Sequence, residues 1–497
     1  MGSQRPGVSP GFYTIFCLLL IGHATVILLT RFHPYTDLPF HLAEATITRF
    51  YNNPAMAFSE YFHVDLFPRP NVMFLWLSTW VTVVEVETLF RVLEVIYVLA
   101  LPILFFFMVR RLSGDPWFSL LGFLALYNFN VSWGFINFFL GIPAILLFSL
   151  LLNRWLRRGG AWVGLSLAIL MALLFVQHML LFLFSGLILL VGWLLQPKRT
   201  PVQTLPLIPA LVLGVGWIAT DAAIGAGDTP AFLIDYLKDY PASIINRIKV
   251  YRIEHAQLSG GTWTKPLVGL AFSLPVIALA FVAWRRRASR IARLIRIHPG
   301  IAAFAFSAAG CYWILPGHFP DQWFLYQRFL VFLLLGLVLI ASTLKIPRLG
   351  RALVTLLAVG HLAVYSEYFV SFDREAKPIL DVMPQPGEGK LAGFMYDNGF
   401  RGSNPFVHFP AYHMVWNKDI AVSALCDFRF SLIDRKADEQ KLPVYKDWLD
   451  RDWVYDMRYR DIPLLLVKGE LPGQTKSRLT DYETRGVSGG WTLLGKP

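Results

Sequence analysis

The sequence predicts an α-helical polytopic membrane protein of about eleven transmembrane helices, followed by an extracytoplasmic α/β domain. Three observations carry this. Hydrophobic residues make up 55% of the 497 residues and charged residues only 16%, with a mean hydropathy of +0.50, outside the range of soluble globular proteins. Uncharged runs of about fifteen to twenty residues recur, at 11–30, 161–177, 266–284 and 329–343 among others, and such runs approach or reach the length needed to cross about 30 Å of hydrocarbon. From about residue 371 the composition changes to short apolar runs, PFVHFPAY, DIAVSALCDF, IPLLLVKGE and GWTLLG, divided by polar and Gly/Pro turns, which is strand patterning.

The basic residues set the topology. Arg110-Arg111, Arg154 with Arg157-Arg158, Lys198-Arg199, the run from Arg285 to Arg296, and Lys345 to Arg351 all fall between apolar segments. Short loops rich in Lys and Arg stay cytoplasmic, so these clusters belong on one side. That holds only if the apolar run 71–84 (NVMFLWLSTWVTVV) is not a crossing. At about fourteen residues, it is the length of an interfacial or re-entrant segment. The crossings are then about 11–30, 88–109, 116–131, 135–152, 161–177, 179–195, 204–220, 266–284, 299–316, 327–344 and 350–369. The N-terminus is inside, and the first apolar run is a retained helix and not a removed signal. Residues 1–370 form the membrane domain, with a large outer loop at 31–87, and 371–497 form the outer domain. The net charge of +12 is explained by the loops and gives no reason to invoke nucleic acid. Cys17, Cys311 and Cys426 make no disulfide framework. No internal repeat stands out.

The first outer loop opens with HPYTDLPFHLAEATITRF. Thr36 or Asp37 caps a helix that runs to about Tyr51, and Pro39 suits its first turn. Asp37, His41, Glu44 and Thr48 then share one face. Leu38, Leu42 and Ala45 line a neighbouring face, able to lie on lipid or on other helices, which describes an amphipathic helix along the membrane surface. Capping alone also explains Asp37, with His41 and Glu44 merely solvated. Glu60, His63 and Asp65 add a second acid–imidazole group. The outer face also carries Arg49, Arg69, Arg91, Arg247, Lys249, Arg252, Lys265 and Arg328, with His318 as a further donor. Acids facing dispersed cations suit a substrate that bears a phosphate and a reacting hydroxyl. A charge run such as INRIKVYRIEH is usually a solvated face, whereas Arg328 opens an apolar helix, where it either snorkels to headgroups or grips a lipid phosphate bidentately. His178 divides two apolar runs, as a core histidine or as a donor to phosphate or sugar. The turn YNFNVSWGFINFFLG is an interface belt or a sugar-stacking platform. Asp37 with His41, or His63 with Asp65, are candidate ligand pairs for a divalent cation, Mg2+ or Mn2+, but no HExxH-type signature supports one. There is no Walker A loop or CxxC pair, and neither GVSPG nor GVSGG has the strand–turn–helix setting of a nucleophile elbow.

The layout of one entering helix, an outer loop with an early acid, a crossing that opens with Arg91 (TLFRVLEV), many crossings and an outer tail resembles the GT-C superfamily of integral membrane glycosyltransferases. YTDLPFHLA, WGFINFFLG and LYQRFLVFL look similar to segments of bacterial GT-C-like proteins. The resemblance implies a bacterial inner membrane and transfer of a sugar from a polyprenyl-phosphate-linked donor to a glycan, lipid or protein acceptor at its outer face. It makes Asp37 the base or acceptor-orienting group, with His41 or Glu44 assisting, and Arg328 and His178 the phosphate contacts. Arg91, His63, Asp65 and His318 are further candidate substrate contacts. The loop lacks the paired acids of metal-dependent members. The DxD at 450–452 lies deep in the tail, and Asp221 and Asp321 are the nearest second acids. The alternatives are a lipid-linked saccharide flippase or a non-catalytic scaffold with a partner-binding outer domain.

Overall fold

A computed structural model describes residues 8–66, 69–220, 240, 243–244, 247, 264–319, 322–422, 432–436 and 462–497. Among them the helices, in chain order, are α1 (Pro10–Leu29), α2 (Leu38–Phe50), α3 (Phe58–Tyr61), α4 (Met73–Trp80), α5 (Val86–Arg111), α6 (Phe129–Trp133), α7 (Ile136–Arg158), α8 (Ala161–Gln177), α9 (Met179–Leu194), α10 (Ile208–Thr220), α11 (Thr264–Ile297), α12 (Pro299–Ile314), α13 (Leu330–Ala341), α14 (Arg348–Ala376), α15 (Ile379–Val382), α16 (Tyr412–Asn417) and α17 (Gly473–Lys476). The strands are β1 (Phe62–Val64), β2 (His318–Phe319), β3 (Gln322–Trp323), β4 (Leu391–Met395), β5 (Ile433–Arg435), β6 (Leu464–Lys468), β7 (Glu483–Ser488) and β8 (Trp491–Gly495).

Four helices, α1, α5, α7 and α14, are long and apolar enough to cross a membrane, and α11 and α12, bent by 109° at their junction, make up to a fifth. This is the make-up of a helical membrane protein. It falls short of eleven crossings among the described residues, because α8, α9, α10 and α13 are apolar but shorter. The expected crossing at 116–131 is instead a 3-10 helix, Pro116–Ala125, followed by α6. Asp115 caps it through Trp117 N–H at 3.2 Å. Asn128 closes it, donating to Ala125 O at 2.9 Å and accepting from Asn130 N–H at 3.0 Å. Side-chain amides that bond the backbone compete in this way with a continuing helix. At eight residues, or about 12 Å, α4 is too short to cross.

The chain divides into two compact units. The first comprises residues 1–28, 93–131 and 137–367. Its core is aromatic: Phe184 lies 4.9 Å from Phe332 and 5.1 Å from Phe329, ring centre to ring centre, and Phe138 joins them through Phe332. Gly300, at the start of α12, lets that helix touch α7, since a Cβ there would meet Asn153 N at 2.5 Å.

The second unit comprises residues 29–92, 132–136 and 368–497. It holds a four-stranded sheet in the order β4-β6-β8-β7, with β4 and β6 parallel and the other pairs antiparallel. β6 (LLLVK) is buried at every position, as expected for a central strand covered on both faces. Of GVSGG, Gly486 to Ser488 belong to β7 and pair with β8, and only Gly489 and Gly490 form the turn between the strands. PFVHFPAY, expected to be a strand, is a run of turns ending in a 3-10 helix at Phe409–Ala411 and then α16. Pro405 and Pro410 deny it ladder hydrogen bonds, and its rings fill a cluster with Trp491, Phe409 stacking on it at 5.5 Å. DIAVSALCDF lies largely outside the described residues, as does Cys426.

α2 departs from the surface-lying amphipathic helix of the sequence reading. From Leu38 to Thr48 every residue but His41 is buried, within a unit where it packs on α4 and α16. Its small residues Ala43, Ala45, Thr46 and Thr48 permit this, and the two hydroxyls bond back to Leu42 O and Glu44 O at 2.8 Å.

Candidate functional site

Asp37 stands at the N-terminus of α2, but its side chain makes no capping hydrogen bond. The backbone does the anchoring. Asp37 N–H donates to Trp133 O at 2.9 Å and Thr36 N–H to Ser132 O at 3.1 Å. Gly134, with φ +80°, makes this approach possible: a Cβ there would lie 2.9 Å from Asp37 N and 3.0 Å from Leu38 N. YTDLPFHLA and the stretch from Ser132 to Gly134 therefore meet in the second unit through main-chain contacts that only glycine tolerates.

The Asp37 carboxylate is 18% exposed and faces His408, Nε2 to Oδ1 at 3.6 Å, just beyond hydrogen-bond range. Burial holds the His408 imidazole down at about 3, and the neighbouring His41 pushes the same way, so His408 is neutral near pH 7. His41 in turn bonds Glu44, Nδ1 to Oε2 at 2.7 Å, and the Phe40 ring lies about 6 Å from both imidazoles. The arrangement is two acid–imidazole pairs. The sequence placed Asp37, His41 and Glu44 on one face but missed His408, which sits in a run patterned like a strand.

The start of the loop is fixed by a residue from the tail. Asp373 Oδ1 accepts from Arg31 N–H at 2.8 Å and from Phe32 N–H at 2.9 Å, while Lys377 pairs with its other oxygen at 2.6 Å.

In the first unit, His178 is the single residue between α8 and α9, and its Nδ1 accepts from Leu180 N–H at 3.1 Å. Its Nε2 lies 3.2 Å from Arg328 Nη1, and Phe138 packs edge-on against the ring at 5.1 Å. Asn130 steadies the arginine's backbone, donating to Arg328 O at 3.1 Å. A neutral imidazole has one lone pair, yet here each ring nitrogen meets an N–H donor. The guanidinium N–H and the Leu180 N–H thus both address one imidazole, and its tautomer decides which of the two it accepts. The two residues singled out as phosphate contacts are neighbours.

The other candidates divide. Arg91 lies in the first turns of α5, within electrostatic reach of Glu87 and Tyr412. His63 is exposed on β1, and Asp65 pairs with Arg69 at 3.2 Å, so no hydrogen bond or ion pair joins them as an acid–imidazole group. His318 stacks on Trp323 in the β2–β3 hairpin. Arg49 is committed to three backbone carbonyls, Ser78 O, Val84 O and Val81 O, at 2.6, 2.8 and 3.0 Å. Arg247, expected in a solvated run, is fully buried, bonded to Tyr312 O and Leu315 O at 2.5 and 2.7 Å, with Tyr326 under its guanidinium at 4.4 Å. Lys249, Arg252, Asp221, Asp321 and the acids at 450–452 lie outside the described residues, and so does the Lys265 side chain. Among the described residues no group of three or more His, Cys, Asp or Glu is placed to hold a metal. Comparison with known proteins finds no family model that matches this chain and no curated protein that matches it.

Proposed function

We propose that the protein is a glycosyltransferase of the GT-C type, moving a sugar from a polyprenyl-phosphate-linked donor to an acceptor at the outer face of a bacterial inner membrane. The observation that carries this reading is the Asp37 carboxylate. It sits at a helix start, forms no cap, and faces a buried neutral imidazole. A carboxylate so held is suited to take the proton of an acceptor hydroxyl as the hydroxyl attacks the sugar carbon. The bond from that carbon to the phosphate oxygen breaks, and the leaving polyprenyl phosphate gains negative charge. The GT-C resemblance assigns the phosphate to Arg328 and His178, residue types that stabilise such charge. The proposal takes in about eleven crossings, an inside N-terminus and an outer α/β domain, with the shorter apolar helices as its remaining crossings.

The test is turnover. Purified protein in liposomes is given a panel of polyprenyl-phosphate sugars, and release of free polyprenyl phosphate is measured for wild type and Asp37→Asn. Turnover that disappears in a folded Asp37→Asn variant supports the assignment. Equal turnover in both removes Asp37 from the chemistry.

One observation favours the second reading, a lipid-linked saccharide transporter. His23 and His361, on α1 and α14, stack at 5.7 Å with Nε2 and Nδ1 3.5 Å apart, and ionisable groups inside spans often mark transport paths. Translocation of labelled lipid without turnover would select it.

A further inference from the structure

From Phe281 to Ile297, the last turns of α11 carry six arginines and no carboxylate. The helical geometry breaks at Arg287, with φ −133° and ψ 22°, and the segment 280–297 meets α12 at 109°. Beyond the break the residues are sorted by face. Ile291, Leu294 and Ile295 recur at the three- and four-residue spacing of one helix side. They close on a cavity of about 60 Å³ with Leu112, Ile301 and Leu339. Ser289, Arg293 and Arg296 fall on the opposite side, and all three are exposed.

α5 fixes where this segment stands. Arg290 Nη2 donates to Ser113 O at 3.3 Å, two residues past the end of a helix long and apolar enough to cross a membrane. The segment is thus at the level of a membrane boundary. Phe281 is 59% and Trp284 49% exposed, directly ahead of the arginines. That is the order in which an aromatic belt gives way to headgroups.

The guanidinium groups are largely uncommitted. Arg290 has the Ser113 carbonyl, and Arg285 has the Phe281 ring at 6.0 Å. Arg286, Arg287, Arg293 and Arg296 are exposed and have no hydrogen bond, ion pair or ring partner among the described residues. Asp115, two residues on from Ser113, is engaged by Trp117 N–H, Ile346 N–H and Arg351. Retention of a loop on one side of a membrane needs only basic residues in that loop. It does not require them to be sorted to one face of a helix whose other face is seated on the protein. Such sorting is how a basic interfacial helix meets an anionic bilayer, here with protein in place of acyl chains under the apolar face.

We propose that the arginine face of residues 285–297 docks on the anionic phospholipid headgroups of the membrane that holds the chain. Continuity with the crossing helix favours lipid over a soluble acidic partner. The docking is independent of the proposed enzymatic activity.

The test uses the full chain in nanodiscs of phosphatidylcholine or of phosphatidylcholine mixed with phosphatidylglycerol. Mass spectrometry reads amide hydrogen exchange over residues 288–297. Wild type is expected to exchange there about thirtyfold more slowly in the anionic nanodiscs, from about 1 kcal/mol for each of Arg293 and Arg296 at about 1.4 kcal/mol per tenfold. Arg293→Gln/Arg296→Gln is expected to lose most of the difference, and Arg293→Lys/Arg296→Lys to keep most of it. Arg157→Gln/Arg158→Gln, on α7, removes as much charge and leaves the difference intact. Equal exchange by wild type in the two lipids overturns the docking. So does a difference undiminished in the Arg293/Arg296 glutamine variant, or one lost equally in the Arg157/Arg158 variant. Slowing that appears only when an RNA oligomer or a polyglutamate peptide is added to neutral nanodiscs overturns the lipid assignment. Exchange in phosphatidylcholine reads the folding of each variant, and the wild-type comparison stands whatever its result.

Discussion

The Nε2 atom of His178 lies 3.2 Å from Nη1 of Arg328 while its Nδ1 accepts the Leu180 N–H, so one imidazole faces two donors with a single lone pair to offer. In the proposed function a phosphate oxygen is held at Arg328 beside this imidazole. Arg328→Lys replaces a planar fork by a point charge and is expected to weaken binding of polyprenyl phosphate by about tenfold or more, the worth of one charged hydrogen bond. Competition by free polyprenyl phosphate against a fluorescent analogue checks it, and unchanged affinity removes Arg328 from the phosphate.

Asp37→Ala removes the carboxylate that faces His408 at 3.6 Å but no cap bond, so a loss of up to about 1 kcal/mol is expected. Thermal melting reads it, and a much larger loss would mean that the carboxylate is structural.

Gly134→Ala tests the same site from behind. With φ +80° and Asp37 N 2.9 Å from the new Cβ, the turn must shift. Expected losses are roughly 1–2 kcal/mol of stability and most of the turnover, since the shift displaces Asp37. Melting and turnover are measured on one preparation, and full activity in the variant would contradict the anchoring described above.

His408 gives a pH signature. Its folded value is about 3 against about 6.5 unfolded. Between these the unfolded chain takes up a proton that the folded chain refuses. Its contribution to stability is therefore complete above pH 6.5 and declines as the pH falls toward 3, with a slope of up to about 1.4 kcal/mol per pH unit. His413, also lowered by burial, adds in the same direction. Melting temperatures from pH 7.5 to 5 should fall less steeply for His408→Asn than for wild type. Parallel slopes would show that His408 is not buried in its neutral form.

Arg49→Lys removes a fork that closes on Ser78, Val81 and Val84 carbonyls. A lysine cannot span all three, and a loss of about 3 kcal/mol is expected from charged hydrogen bonds worth about 1.5–3 each. Thermal melting reads it, and a difference below about 0.5 kcal/mol would deny the clamp its structural part.

The parts legible in the sequence were those written in local spacing. Asp37, Pro39 and the stretch to about Tyr51 announced α2 within a residue or two, and runs such as 88–109 announced long apolar helices. Partners distant in sequence were not legible. Nothing in HFP marks His408 as the neighbour of Asp37, and nothing around Asp373 marks it as the acceptor for Arg31 and Phe32. Apolar length also misled at 116–131, where amide side chains bonding the backbone end the helix. For α2, hydrophobic periodicity described one buried face, whereas small residues let the helix be enclosed almost all round.

The hydrogen bond from Phe32 N–H to Asp373 joins residues 341 apart in the chain. A ribosome adding about 5–20 residues per second needs roughly 20–70 s to bring Asp373 out after Phe32. Through that interval the opening of the first loop, and Asp37 a few residues on, lack the contact that fixes them. The candidate site is therefore finished only after Asp373 has emerged, and a ribosome stalled before that point would leave a chain whose acid is not yet held in place.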